Sequence, residues 1–97
     1  MVDALPDDVE LARTTKVFDE VSVPPGLLRE HRIAPHTWGR LVVHGGTVRL
    51  VFEDDSGEAL DLDPGDTGVI APDRPHHVEL GVGARFAVEF HRHPDSA

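Results

Sequence analysis

The fold is decided by residues 38–53, which read WGRLVVHGGTVRLVFE. Two short runs rich in valine, leucine and phenylalanine, 38–44 and 47–53, flank the pair Gly45-Gly46. Such residues favour strands, and two adjacent glycines accept the positive φ angles of a tight two-residue turn. The stretch therefore predicts a β-hairpin in which 38–44 pairs with 47–53.

The rest of the chain repeats this pattern of short apolar runs between turns. Further strands are predicted over 16–23, 27–33, 59–62, 68–71, 76–80 and 84–91. No window of sufficient length shows the apolar period of an amphipathic helix. About eight short antiparallel strands predict an all-β fold, either a sandwich or a small jelly-roll barrel. We assign 15–93 to this single domain, 1–14 to a flexible N-terminal segment and 94–97 to a tail.

Length and charge limit the classes of partner. A chain of 97 residues makes one domain near the lower limit for a self-sufficient core, so we predict a homodimer. Nine lysines and arginines against eighteen aspartates and glutamates give a net charge of −9, which repels phosphate backbones and anionic lipids. Nucleic acids and membranes are therefore not predicted as partners. There is no cysteine, which leaves the redox compartment undetermined. The first residues lack the features of a signal peptide, and no apolar run is long enough to span a bilayer, so we predict a soluble cytoplasmic protein.

Two spacings in the chain are similar to the two sequence motifs of the cupin family. The first motif, G(X)5HXH(X)3-4E(X)6G, aligned to end at Gly45, places its first histidine on His31. Its second histidine and its glutamate fall on Ile33 and Trp38. The second motif, G(X)5PXG(X)2H(X)3N, places its histidine on His76. Any metal site here must therefore be incomplete or rebuilt from other groups.

Alternation along the predicted strands indicates which side chains face the interior, because residues two apart share a face. His31 shares its face with the apolar Ile33, and His76 shares its face with the apolar Val78. We therefore predict that the two imidazoles converge in one apolar barrel, where neutral imidazole can bind a transition metal. In the last strand the phenylalanines and Glu89 lie on opposite faces, so Glu89 points away if the phenylalanine face is the core.

A longer resemblance covers most of the chain. Residues 30–41, EHRIAPHTWGRL, followed by 72–79, PDRPHHVE, and 88–90, VEF, resemble the small cupin domain at the N-terminus of bacterial tellurite-resistance methyltransferases, a domain that also occurs alone. The resemblance implies a double-stranded β-helix able to bind a metal and linked to tellurite or other oxidant stress. Methyl transfer is not carried over, because the resemblance is to the small domain.

The resemblance also implies where a metal would bind. His31 and His76 are the candidate ligands carried over, and we choose Glu89 as the third. Two imidazoles and one carboxylate are typical of non-haem Fe(II), and Zn or Ni also accept them. His36 lies near His31 in sequence and His91 shares a face with Glu89, so either could replace Glu89.

Three functions remain open from the sequence. The first is a cupin that binds a divalent transition metal (Zn, Fe or Ni) in its barrel and accepts a small molecule there. The second is a metal-free cupin that binds a small polar molecule. The third is a dimeric regulatory or structural protein. Nothing marks an activated serine, so no catalytic residue is assigned and the sequence does not decide whether the protein is an enzyme.

Overall fold

The structure is a computed structural model, and it describes residues 4–28 and 32–94. Regular secondary structure in these ranges consists of β-strands and one turn of 3-10 helix, Pro25–Leu28. The strands are β1 (Glu10–Thr14), β2 (Thr37–Gly45), β3 (Val48–Phe52), β4 (Ala59–Leu62), β5 (Thr67–Ile70), β6 (His76–Leu80) and β7 (Arg85–Arg92). They form two antiparallel sheets, one with the strand order β1-β7-β2-β5 and one with the order β4-β3-β6. The all-β prediction is confirmed.

The predicted hairpin across Gly45-Gly46 is wrong, although both of its strands are present. β2 pairs with β5 and β7, whereas β3 pairs with β4 and β6. The turn therefore leads the chain from one sheet into the other. A type I′ hairpin turn needs positive φ at both central residues. Of the two glycines, Gly46 alone has a positive φ, 61°, and Gly45 is still the last residue of β2.

The chain before β2 differs most from the prediction. Residues 16–23 form no strand and are tied to the four-stranded sheet by one bridge, from Phe18 to Phe86. The strand predicted over 27–33 is replaced at its start by the 3-10 helix, and residues 29–31 lie outside the described ranges. Pro24 and Pro25 lack the amide hydrogens that a strand ladder needs. Glu10–Thr14, predicted to be flexible, instead forms β1 and pairs with β7.

The core lies between the two sheets and follows the period-two pattern of the strands. In β2 the buried positions alternate with partly exposed ones, so that Gly39, Leu41 and Val43 face inward. The largest fully buried side chains come from both sheets: Phe86, Leu41, Leu50, Ile70, Val43 and Val48. Burying each such apolar side chain stabilises the fold by roughly 1.5–3 kcal/mol. Over residues 4–28 and 32–94, no helix is long and apolar enough to cross a membrane.

Candidate functional site

His76 is the first residue of β6, and its exposed fraction is 3%. It lies on the same buried face as Val78, as the alternation predicts. Its Nδ1 lies 2.9 Å from the carbonyl oxygen of Arg74. Because a carbonyl oxygen can only accept, Nδ1 carries a proton and donates it to that oxygen. The ring of His76 is therefore fixed in orientation on the inner face of β6.

The turn before His76 is held in place by the side chain of Arg74. Its Nε donates to Oδ2 of Asp54 over 2.6 Å, and its Nη2 donates to Oε1 of Glu58 over 3.0 Å. Its guanidinium carbon lies 3.6 Å from the centroid of the Phe52 ring. The hydrogen bond from Arg74 is the main reason that the pKa of Asp54 lies well below its usual value. Arg74 therefore fixes the carbonyl that orients the His76 ring.

A cavity of about 590 Å³ lies between the sheets and opens beside β1 and the 3-10 helix. Apolar side chains form most of its wall: Phe18, Leu27, Ile33, Leu41, Ile70, Val78, Phe86, Val88 and Phe90. His76 contributes a buried polar group to the wall. The exposed residues Arg13, Lys16 and Gly26 lie at the rim. The volume falls in the range of roughly 300–1,000 Å³ that is typical of sites for small organic ligands.

Glu89 lies on the face of β7 that points away from this cavity. Its neighbours Val88 and Phe90 line the cavity, whereas its Oε1 accepts from Nε of Arg40 over 2.9 Å and from Nε2 of His91 over 3.0 Å. Burial raises the pKa of Glu89, but the contacts with His91 and Arg40 outweigh it and lower that pKa below its usual value. The structure therefore does not bring Glu89 together with His76.

The other predicted ligands do not gather around His76 in the described part of the chain. His31 lies outside the described residues. His36 is exposed and is not among the residues that line the cavity, and His91 contacts Glu89 on the outer face. Within 4–28 and 32–94, no group of three or more His, Cys, Asp or Glu side chains could hold a metal ion. The described residues alone therefore do not fit a metal site.

His77 points the opposite way from His76 and is bound by two carboxylates. Its Nδ1 contacts Glu53, and its Nε2 lies 2.9 Å from Oε2 of Glu79. The hydrogen bond with Glu79 is the largest cause of the raised pKa of His77. Both ring nitrogens of His77 therefore contact carboxylates, an arrangement that favours the protonated ring.

The rim residues were missed by the sequence analysis, which assigns Arg13 to a flexible segment. β1 contains a bulge, because Leu11 pairs with His91 and Arg13 pairs with Phe90. Leu11 and Arg13 are two positions apart, yet they lie on opposite faces, since a bulge turns one side chain to the other side. The guanidinium of Arg13 lies 4.7 Å from the centroid of the Phe90 ring. Nothing in the sequence ELART of β1 indicates such a bulge.

Comparison with known families and structures agrees with this architecture. The family model of the TehB-like domain matches residues 13–88. A crystal structure of a protein from E. coli strain K12 matches with a TM-score of 0.87 and 21% identity, and the match covers 98% of this chain and 100% of that one. The crystal structure of TehB from Haemophilus influenzae matches with a TM-score of 0.79 and 17% identity. That match covers 90% of this chain but 32% of the TehB chain.

A cupin structure matches at lower similarity. A cupin-2 domain containing protein from Shewanella frigidimarina matches with a TM-score of 0.53 and 17% identity, covering 89% of this chain and 72% of that one. At these identities the structural matches show the fold, and they confirm the predicted cupin fold. No curated protein matches the sequence.

Proposed function

Because this chain belongs to the TehB-like domain family, we propose that it is a small cupin domain that binds a small molecule in the cavity between its sheets. The cavity of about 590 Å³ is the observation that carries this proposal. An apolar wall with a few fixed polar groups is the common design of sites for small organic ligands. His76 supplies one such group, since its bond to the carbonyl of Arg74 fixes its ring.

Two neighbouring leucines test whether the cavity is the binding site. Leu27 lines the cavity, whereas Leu28 is not among its lining residues and is 47% exposed. We expect the neutral probe 4-phenylbutanamide to shift the amide resonances of cavity residues in an NMR titration, with a Kd of about 1 mM. Leu27→Trp should weaken this binding about fivefold or more, because the larger ring fills the entrance. Leu28→Trp is the matched control and should bind as the parent protein does.

Either of two results would count against this assignment. One is a set of shifted resonances that lies outside the cavity. The other is equal weakening in Leu27→Trp and Leu28→Trp, since both substitutions add the same ring to the same 3-10 helix.

A divalent metal held by His76 together with His31, the other imidazole ligand predicted from the sequence, is the second candidate function. It is supported by the hydrogen bond from Nδ1 to the carbonyl of Arg74, because a metal-binding histidine commonly donates its other ring hydrogen to such an acceptor. We expect untagged protein to bind Zn²⁺, Ni²⁺ or Fe²⁺ in calorimetric titrations, and His76→Gln to abolish the binding. His44→Gln, which changes an exposed histidine of β2, should leave it intact. Equal metal uptake by His76→Gln and the parent protein would rule the candidate out.

The predicted link to tellurite or oxidant stress stays a prediction, supported by membership of the family. The apolar wall favours an organic molecule over a hydrated oxyanion, because moving an unpaired charge out of water costs a large free energy. Such a role would therefore involve an organic compound in the cavity. The predicted homodimer and the cytoplasmic location also stay predictions.

A further inference from the structure

Two cationic side chains, Arg13 and Lys16, lie at the rim of a cavity that is otherwise mostly apolar. The chain has two acidic residues for each lysine or arginine, eighteen against nine. Four arginines of the described structure form ion pairs with its carboxylates: Arg32, Arg40, Arg49 and Arg74. Arg13 and Lys16 form no ion pair within residues 4–28 and 32–94. Two such cations beside a cavity favour the approach of an anion from solution.

The guanidinium of Arg13 is held in position for such an anion. The bulge in β1 places Arg13 opposite Phe90, a residue of the cavity wall, and the guanidinium lies 4.7 Å from the ring centroid. A guanidinium held over a ring by cation–π attraction still has N–H groups that can bind a carboxylate through two hydrogen bonds. The apolar wall and the cationic rim therefore meet at Phe90.

We propose that the cavity takes a small organic carboxylate. This inference rests on the proposed function and names its class of ligand. The carboxylate lies at Arg13 and Lys16, and the apolar body extends inward along Phe90, Val88 and Phe86. A compact, fully hydrated oxyanion does not fit this description, because it would leave the apolar wall without a partner and would lose its own water.

A pair of probes of nearly equal shape tests the proposal: 4-phenylbutyrate and its neutral amide, 4-phenylbutanamide. We expect the carboxylate to bind about tenfold more tightly than the amide at low salt, and this preference to shrink as NaCl is added. The double variant Arg13→Gln, Lys16→Gln should lose the preference and keep its affinity for the amide. Arg49→Gln is the control, because it removes one positive charge from β3, in the other sheet. This variant should still bind the carboxylate more tightly than the amide. Arg13 and Lys16 are exposed, so melting temperatures should confirm that the variants fold.

The possible results separate the ligand class from the proposed function. If the carboxylate and the amide bind equally well in the cavity, the carboxylate proposal is overturned while small-molecule binding stands. If neither probe binds, the proposed function itself fails. Sodium tellurite is the third probe. Tellurite binding as tight as that of 4-phenylbutyrate, and lost in the double variant, would assign the rim to an inorganic oxyanion and overturn the proposal.

Discussion

Replacing Gly46 with alanine should lower the free energy of unfolding by about 3–5 kcal/mol, from left-handed backbone strain and overpacking together. Gly46 has a φ of 61°, a conformation that residues with a Cβ rarely adopt. A Cβ at this position would lie 2.5 Å from the amide nitrogen of Ala84 and 2.5 Å from the carbonyl carbon of Gly83. Both are backbone atoms, which cannot move aside as a flexible side chain can. Urea denaturation followed by the fluorescence of Trp38, the single tryptophan, measures the change.

Gly57→Ala is the matched control for this prediction. Gly57 has a φ of 68°, nearly that of Gly46, but a Cβ there would meet nothing within 4 Å. Its replacement should therefore cost only the backbone strain, about 1–2 kcal/mol. The difference between the two variants reports the contact between Gly46 and the turn before β7. Equal destabilisation would mean that the chain does not pass this turn as closely as the structure has it.

Gly46 also shows why β2 and β3 could be predicted from the sequence and their pairing could not. Runs rich in valine, leucine and phenylalanine gave β2 and β3 to within a residue or two. Alternation shows which face of a strand is buried, but it does not show which sheet the strand joins. In a fold with two sheets, a short glycine turn can close a hairpin or lead across the core. Here the turn crosses between the sheets, and Gly46 lies close to Gly83 and Ala84, which are distant in sequence.

The candidate site was predictable only where it depends on local pattern. His76 faces inward beside Val78, and Phe86, Val88 and Phe90 line the cavity, as alternation predicts. The same alternation places Glu89 on the opposite face, and its prediction as a ligand rests on the chemistry of its carboxylate alone. Its contacts with Arg40 and His91 depend on the register of β2 and β7.

The remaining parts of the site depend on features that no local pattern shows. The position of Arg13 follows from an irregular pairing of β1 with β7. His31, on which the predicted metal site depends, lies outside the described residues. Irregular pairing and long-range contacts are tertiary effects, so a single sequence gives little information about them.

Phe86→Ala should also destabilise the fold strongly, by about 3–5 kcal/mol, because it leaves a void in a packed interior. Phe86 has no exposed surface, and its ring centroid lies 5.7 Å from that of Phe18. Phe86→Leu keeps most of the volume and should cost less than about 1.5 kcal/mol. Val82→Ala, at a residue that is 94% exposed, is the surface control and should stay within about 0.5 kcal/mol of the parent protein.

Phe86 also holds the segment that carries part of the cavity rim, so its loss should be visible there. The amide of Phe18 donates to the carbonyl of Phe86 over 2.7 Å, and the amide of Phe86 donates back over 3.0 Å. Both groups belong to the backbone and remain in Phe86→Ala, so faster hydrogen exchange at Phe18 would report the lost packing of the rings. Slow exchange at Phe18 together with a loss below about 1 kcal/mol would contradict the packing role of Phe86. In that case the packing of Phe86 against Phe18 would not be what holds Lys16, two residues before Phe18, at the rim.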